Sequence, residues 1–513
     1  MLLKRAIGLA FFASLTLFAL AALPLWGQDP GGVHTRIQQV FHGRSAQPVL
    51  IGPLNLGQIK ISGPASRPPL LSPSFQSLVS KLATSAAKIE ALWPGYKVFD
   101  KPILLNTPGE TAILIAMADP PDGYLRYPAP SAPRVPVYIL NGGISNAPYM
   151  DFDYQINGQS AFLYRVESGA GADETFATVV HERFHGFQDS WKSSSGGNQN
   201  YPVLDEVNLA LAALEQRTLA DALGATAWPQ RLEKTKNFIA IRQARYQRLS
   251  QEAQNAEAWQ ERNEGTARFV ELEALETAFY QNPRTKLSME LQKELHFNMM
   301  KKWRYYITGA AQCYLLDGLV AGQWRKKIQQ GQNPWQALSV AWPLSEIESQ
   351  NRLNLAKSQY QYDILLAEAQ QKIQTYTTSR DEAMNEFKNA PGRRLRLMPK
   401  KVSGFNISKS ELYDDLPEGW LIKGGDFEIG GPGYALSASG RIILLRNMSN
   451  PETNLVGDGT IFLDGKPLVL TDGSWAFQNL KIEENGFKLD ADIPGSLAVE
   501  GNEVSVRFTN QAP

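Results

Sequence analysis

The chain has 513 residues, 43% of them hydrophobic and 20% charged. That is too long for one hydrophobic core and too apolar for a disordered chain, so two or three domains are expected. Its 51 basic and 51 acidic residues balance, which excludes the electrostatic footprint of a nucleic-acid binder or of a protein held on an anionic membrane surface. One cysteine, Cys313, excludes an intramolecular disulfide framework, so stability must come from core size.

Met1-Leu2-Leu3-Lys4-Arg5, followed by an apolar run from Ala6 to about Trp26, reads as a secretory signal over residues 1–27, with cleavage after Ala21 or Gly27. The same run is also long enough, at roughly 20 residues, to remain as an uncleaved anchor. The expected product is a secreted or periplasmic protein with no stable membrane span once the signal is removed. No cysteine near the cleavage region offers a lipid attachment point.

Residues 28 to about 75 are broken by Gly52-Pro53, Gly63-Pro64 and Pro68-Pro69, and read as an irregular arm with short strands. Ala112 to Ala116 and Val135 to Leu140 are apolar, β-branched runs bounded by turn residues, expected as buried strands. Ala161 to Val166 alternates more and suits a sheet edge. From Asp173 to about Phe387 the texture is helical, with Val207, Leu211 and Leu214 on one face of a segment that stops near Gly224.

The helical pattern ends around Ala390-Pro391-Gly392, and from about Val402 the chain is rich in Gly and in short alternating runs. Asp464-Gly465, between two apolar runs, is a hairpin signal. The expected class is α+β. A β-rich part over 28–170 and a helical part over 171–395 make one region, and a separate β-sandwich follows over 400–513.

His181-Glu182-Arg183-Phe184-His185 is an HExxH pattern. Residues four apart on a helix stand one above the other, so both imidazoles can reach one zinc ion. Glu182 lies about 100° round the helix from His181, where a general base can flank the metal without binding it. Asp173 is a plausible N-cap, and Phe176, Val180, Phe184 and Phe187 form the apolar stripe of the helix. A catalytic zinc takes three protein ligands and keeps one open position. No histidine follows at a short spacing, which leaves Glu264 and Glu271, in the apparently helical stretch Gln260 to Glu271, as candidates for the third.

Asn263-Glu264-Gly265-x-Ala267 is similar to the Asn-Glu-Gly-Phe-Ala motif of the aminopeptidase N family, although the gap from HExxH is far longer here. The resemblance implies Glu264 as third ligand of a single Zn2+ per chain, with Gly265 letting helices approach closely. Glu271 then becomes a partner that orients a histidine, or the ligand in its place. Tyr306-x-x-Gly309-Ala310 resembles the Tyr-x-x-Gly-Ala segment of the aminopeptidase N and glycyl aminopeptidase families, whose tyrosine stabilises the oxyanion. It implies Tyr306 in that role, with Tyr305 in reserve and His296 standing outside the site. The fold implied is zincin-like, of the gluzincin kind.

The expected function is an exported zinc metallopeptidase acting on a peptide or protein, with Glu182 as base and Tyr306 as oxyanion donor. The strand Ala161 to Val166 is placed to take an extended peptide by strand addition. The Gly-Ala-Met-Glu-Asn motif that anchors a substrate amine in aminopeptidase N is absent, so endopeptidase and aminopeptidase action both stand. The alternative is an exported binding protein with a non-catalytic zincin scaffold and a C-terminal β-domain that recognises protein or carbohydrate. Lys192 to Asn200, rich in Ser, Gly and Asn, reads as a loop near the site.

Overall fold

The computed structural model describes residues 71–128, 135–145, 147–191, 201–295, 300, 302–320, 322–398, 404–431, 433–446 and 452–509. The expected signal, nearly all of the Pro/Gly-rich arm, the loop from Lys192 to Asn200 and His296 lie outside the described residues. Within them the chain is α+β and separates into two compact units, one reaching to Tyr376 and one starting at Thr377. None of the described helices is long and apolar enough to cross a membrane.

The first unit opens with helix α1 (Pro73–Glu90), started by Ser72, whose hydroxyl accepts from the Phe75 amide at 3.3 Å, and by Pro73 at its first position. A six-stranded sheet follows, built from β1 (Ile103–Thr107), β2 (Thr111–Ile115), β3 (Leu125–Arg126), β4 (Val137–Asn141), β5 (Met150–Ile156) and β6 (Gln159–Arg165) in the order β3-β4-β2-β1-β6-β5. The two apolar runs become β2 and β4, and Ala112 to Ile115 are wholly buried.

The expectation of an edge strand at Ala161 to Val166 is corrected. This strand, β6, pairs in parallel with β1 on one side and antiparallel with β5 on the other. Its residues Ala161 to Tyr164 are all buried, because both faces are covered. The edge is β5, where Asp151, Asp153 and Gln155 alternate with less polar neighbours and a bulge interrupts the pairing between Asp151 and Tyr154.

After the sheet the unit is helical: α2 (Ala172–Gln188), α3 (Glu206–Gly224), α4 (Trp228–Tyr246), α5 (Gln251–Gln260), a π-helical turn (Glu261–Gly265), α6 (Thr266–Phe279), α7 (Pro283–Leu291) and α8 (Trp303–Leu319). Three more helices follow, from Trp324–Gln329 to Glu346–Gln359, and a further helix, Tyr362–Asn389, continues past Tyr376. Side-chain caps from Asp205, Ser250 and Asn282 start α3, α5 and α7.

Helix α8 crosses the π turn at a glycine–glycine contact. A β-carbon on Gly265 would stand 2.5 Å from Gly309 Cα, and one on Gly309 would stand 2.6 Å from the Glu261 carbonyl oxygen. Neither residue can be larger without separating the two backbones. Gly265 thus permits a close approach, to α8.

The second unit carries an eight-stranded and a seven-stranded sheet, with strands from Arg393–Met398 to Glu503–Phe508. Inward residues of both sheets, among them Leu395, Ile443 and Leu497 from one and Phe427, Leu436 and Leu489 from the other, share one hydrophobic cluster. Asp464 and Gly465 join paired strands Thr460–Leu463 and Lys466–Pro467 with φ of 49° and 77°, as a two-residue hairpin of primed type requires.

Gly309→Ala is expected to overpack the crossing and destabilise the first unit by about 1–3 kcal/mol, read as a fall of several degrees in the thermal midpoint by circular dichroism. An unchanged midpoint would contradict the close contact.

Candidate metal centre

Helix α2 begins earlier than the sequence suggests. Gly171 is its N-cap, and the Thr175 amide donates to the Gly171 carbonyl at 3.0 Å. Asp173, expected as the cap, lies in the first turn beside Glu174, where both carboxylates favour the positive end of the helix dipole. Phe176, Val180 and Phe184 are completely buried and Phe187 partly so, which fixes the helix's rotation. Trp93 and Tyr96 pack edge-on against Phe184 at 5.3 and 5.1 Å, and the Tyr96 hydroxyl donates to the Val180 carbonyl.

With the stripe buried, His181 and His185 project to the same side, their Nε2 atoms 3.1 Å apart. Glu264, from the π turn, brings Oε2 to 3.1 Å from His185 Nε2 and 3.5 Å from His181 Nε2. Among the described residues this is the group able to hold a metal ion. Four-coordinate zinc with bonds of about 2.0–2.1 Å has donor pairs about 3.3–3.4 Å apart. The three observed separations bracket that edge, so the donor set fits one ion.

The far side of each imidazole is also committed. His181 Nδ1 lies 3.0 Å from Glu271 Oε2, and His185 Nδ1 lies 2.6 Å from Gln188 Oε1, which leaves both Nε2 atoms for the metal. Arg268 pairs with the other oxygen of Glu271 and, at 2.8 Å, with Glu290. Glu271 therefore stands behind His181, and Glu264 stands beside both Nε2 atoms. Gln188 was not singled out in the sequence. It lies three residues beyond His185 on the same helix face, and its amide nitrogen donates to the Asn263 carbonyl and the Thr266 hydroxyl at 2.8 and 2.7 Å, latching α2 to the π turn.

Glu182 is 3% exposed, and its Oε2 is buried without a hydrogen-bond partner. Burial raises its pKa, against the opposing pull of His185 and His181. Glu264 moves the other way: burial would raise it, but the two imidazoles hold it well below the usual carboxylate range. Burial opposes the charge on His181, yet its bonds to Glu264 and Glu271 raise its pKa to about 10. His185 is also raised, burial being outweighed chiefly by Glu264.

Tyr306 stacks on His181, with ring centroids 5.6 Å apart and planes within 7° of parallel. Tyr305 packs instead on Tyr201 and under the Arg304 guanidinium, 4.7 Å from its ring centroid. Lys302, just before α8, is a neighbour that sequence reasoning missed. Burial lowers its pKa to about 8, against the pull of Glu264 and Glu182.

Behind the site lies a cluster of six charges with no exposed surface: Glu215, Arg242, Arg245, Glu257, Glu261 and Arg304. Arg242 grips Glu261 with two nitrogens at 2.9 and 3.0 Å and reaches Glu215 at 2.7 Å. Arg245 joins Glu215, also at 2.7 Å, to Glu257, and Arg304 meets Glu257 at 3.1 Å. Tyr201, Asn208 and Thr308 add hydrogen bonds to it, while Glu215 Oε2 and Arg304 Nε are buried without one.

No family model, curated protein or solved structure matches this chain.

His181, raised to about 10, holds a proton at neutral pH in the metal-free protein, and His185 is shifted in the same direction, so binding of Zn2+ at pH 7 is expected to release protons and apparent affinity should rise as the pH rises from 6 towards 8. Calorimetry in buffers of different ionisation enthalpy reads the release, and a buffer-independent enthalpy would contradict it. Glu271→Gln, which weakens the grip on His181, should reduce Zn2+ affinity by roughly 10- to 100-fold in a chelator competition.

Proposed function

We propose that this chain is an exported zinc-dependent metallopeptidase of the gluzincin type, with His181, His185 and Glu264 as metal ligands and Glu182 as general base. The observation that carries the reading is the convergence of three donor atoms beside a buried carboxylate whose Oε2 has no partner. Two imidazoles and one carboxylate suit zinc, and a set of three leaves a position open for chemistry. The mixed sheet beside the metal helix is read as the zincin core, and the two sheets with a common core as a C-terminal β-sandwich.

Zinc, when bound, would supply Lewis acidity towards a peptide carbonyl and a water molecule. Glu182 then takes a proton at Oε2 and returns it to the leaving amine. Its raised pKa brings it nearer to neutrality, as a group that must both accept and give a proton requires. Tyr306 is the proposed donor to the developing oxyanion; its ring is held against that of His181, within the same site. A peptide joining the sheet would pair with β5, the edge strand, because β6 is paired on both sides. Tyr149, next to β5, packs on Tyr164 at 5.8 Å, and Tyr164 senses the charge of Glu182.

A non-catalytic binding scaffold has no use for a buried carboxylate with one oxygen left without a hydrogen-bond partner, and this weighs for the enzyme. The test is zinc analysis of purified protein followed by cleavage profiling of a peptide mixture. Glu182→Gln should keep its zinc and lose roughly 10²- to 10⁴-fold in rate. Cleavage sites within chains or only at N-termini then separate endopeptidase from aminopeptidase action. Zinc-loaded protein with no Glu182-dependent cleavage would leave the binding-protein reading in its place.

A further inference from the structure

We infer that the buried arginine–glutamate cluster is a positioning device for the metal ligand Glu264, acting through Glu261 and the π turn that both residues share. The inference rests on the reading of His181, His185 and Glu264 as a metal site.

Glu261 and Glu264 are three residues apart and face different partners. Glu261 points into the cluster, gripped by the Arg242 fork and accepting from the Thr308 hydroxyl at 2.6 Å. Glu264 points at the two imidazoles. In an α-helix residues three apart lie only about 60° apart in azimuth. The i→i+5 bonding of a π turn winds the backbone more slowly and spreads the pair further. An isolated π turn is a poor substitute for α-helix, so something must hold it.

Each residue of the turn is held. Glu261 is fixed by Arg242 and Thr308. Arg262 donates to the Ile328 and Gln329 carbonyls at 3.0 and 3.3 Å and lies over the Trp191 ring. The Asn263 carbonyl accepts from Gln188. Gly265 lies against Gly309, the residue after Thr308. Of these anchors, only the one at Glu261 draws on a cluster of fully buried charges. Arg242 is fixed by Glu215 as well as Glu261, so the fork cannot follow the turn if the turn relaxes. Reversion to an α-helical register would displace Glu264 by up to about one residue's rotation, 100°, and take its carboxylate off the ion.

Four variants of the full chain test this: Glu261→Gln, Thr308→Val, the conservative Thr308→Ser, and Asn208→Ala. Asn208 accepts from Arg245 at 3.1 Å and donates to the Tyr201 hydroxyl, and it makes no hydrogen bond to the turn. The readouts are Zn2+ affinity by competition with a chromophoric chelator, the visible absorption of the Co2+-loaded protein, and the thermal midpoint of the metal-free protein. Glu261→Gln and Thr308→Val should each weaken Zn2+ binding roughly tenfold and change the Co2+ spectrum, and Thr308→Ser should restore both. Asn208→Ala should lower the midpoint while leaving affinity and spectrum as in wild type. If Glu261→Gln does not fold, Thr308→Val decides. Wild-type affinity and spectrum in folded Thr308→Val would overturn the inference alone, as would a loss of affinity in Asn208→Ala that tracks its midpoint. Wild-type protein that binds neither metal would overturn the metal-site reading, and the inference with it.

Discussion

One extra residue of winding between Glu261 and Gly265 organises the first unit around it. The π turn lets the helix from Gln251 to Phe279 serve two partners at once. Glu257 and Glu261 face the buried arginines, and Glu264 and Glu271 face opposite nitrogens of His181. Glu264 and Glu271 are seven apart, nearly two turns of α-helix, so once the turn sets the direction of one, the other follows. The glycine pair at Gly265 and Gly309 then brings α8 against the same turn, and with it Tyr306 onto the His181 ring.

A cluster of six buried charges is costly to assemble, since each ion loses its hydration and pairing returns that loss only when the geometry is good and the remaining protons and lone pairs are met. Here three guanidinium groups meet three carboxylates, and Tyr201, Asn208 and Thr308 take up further hydrogen bonds. Burial alone would lower the pKa of Arg242, but Glu215 and Glu261 hold it well above the usual value, so its guanidinium stays charged. Such an arrangement contributes less to net stability than an apolar core of the same volume. What it supplies is direction, because a forked donor accepts a carboxylate in few orientations.

The converging group of His181, His185 and Glu264 was legible because such a group imposes a spacing or a short motif on one stretch of chain: His181 and His185 one turn apart, Glu264 beside its Asn and Gly. The apolar strand cores and the Asp464-Gly465 hairpin were legible for the same local reason. What was not legible depends on pairing between distant segments. Ala161 to Val166 looks like an edge because its alternation is a property of the strand, while its second neighbour, β1, comes from residues 103–107, far back in the chain. Asp173 has the residue type of an N-cap, and nothing local says that the helix starts two residues earlier at Gly171. Nothing local marks Arg242, Arg245 and Arg304 as buried; α3, α4, α5, the π turn and α8 bring them together with Glu215, Glu257 and Glu261. Which of Glu264 and Glu271 stands beside the two Nε2 atoms depends on the rotation of the π turn, which no hydrophobic period announces.

Glu264 and Glu182 illustrate how environment separates identical chemical groups. Glu264 lies 3.1 Å from His185 Nε2 and 3.5 Å from His181 Nε2 and is held well below the usual carboxylate range, in the anionic state in which a carboxylate can serve as a ligand. Glu182 sits one residue from His181 on the same helix, yet its Oε2 meets no donor, and burial raises its pKa. Opposite shifts in adjacent groups are what acid–base chemistry at neutral pH requires, one group fixed in charge and the other free to gain and lose a proton. In the proposed reaction the first serves as ligand and the second as base. The difference follows from the π turn, which aims Glu264 at the histidines, and from the buried stripe of α2, which turns Glu182 into the protein.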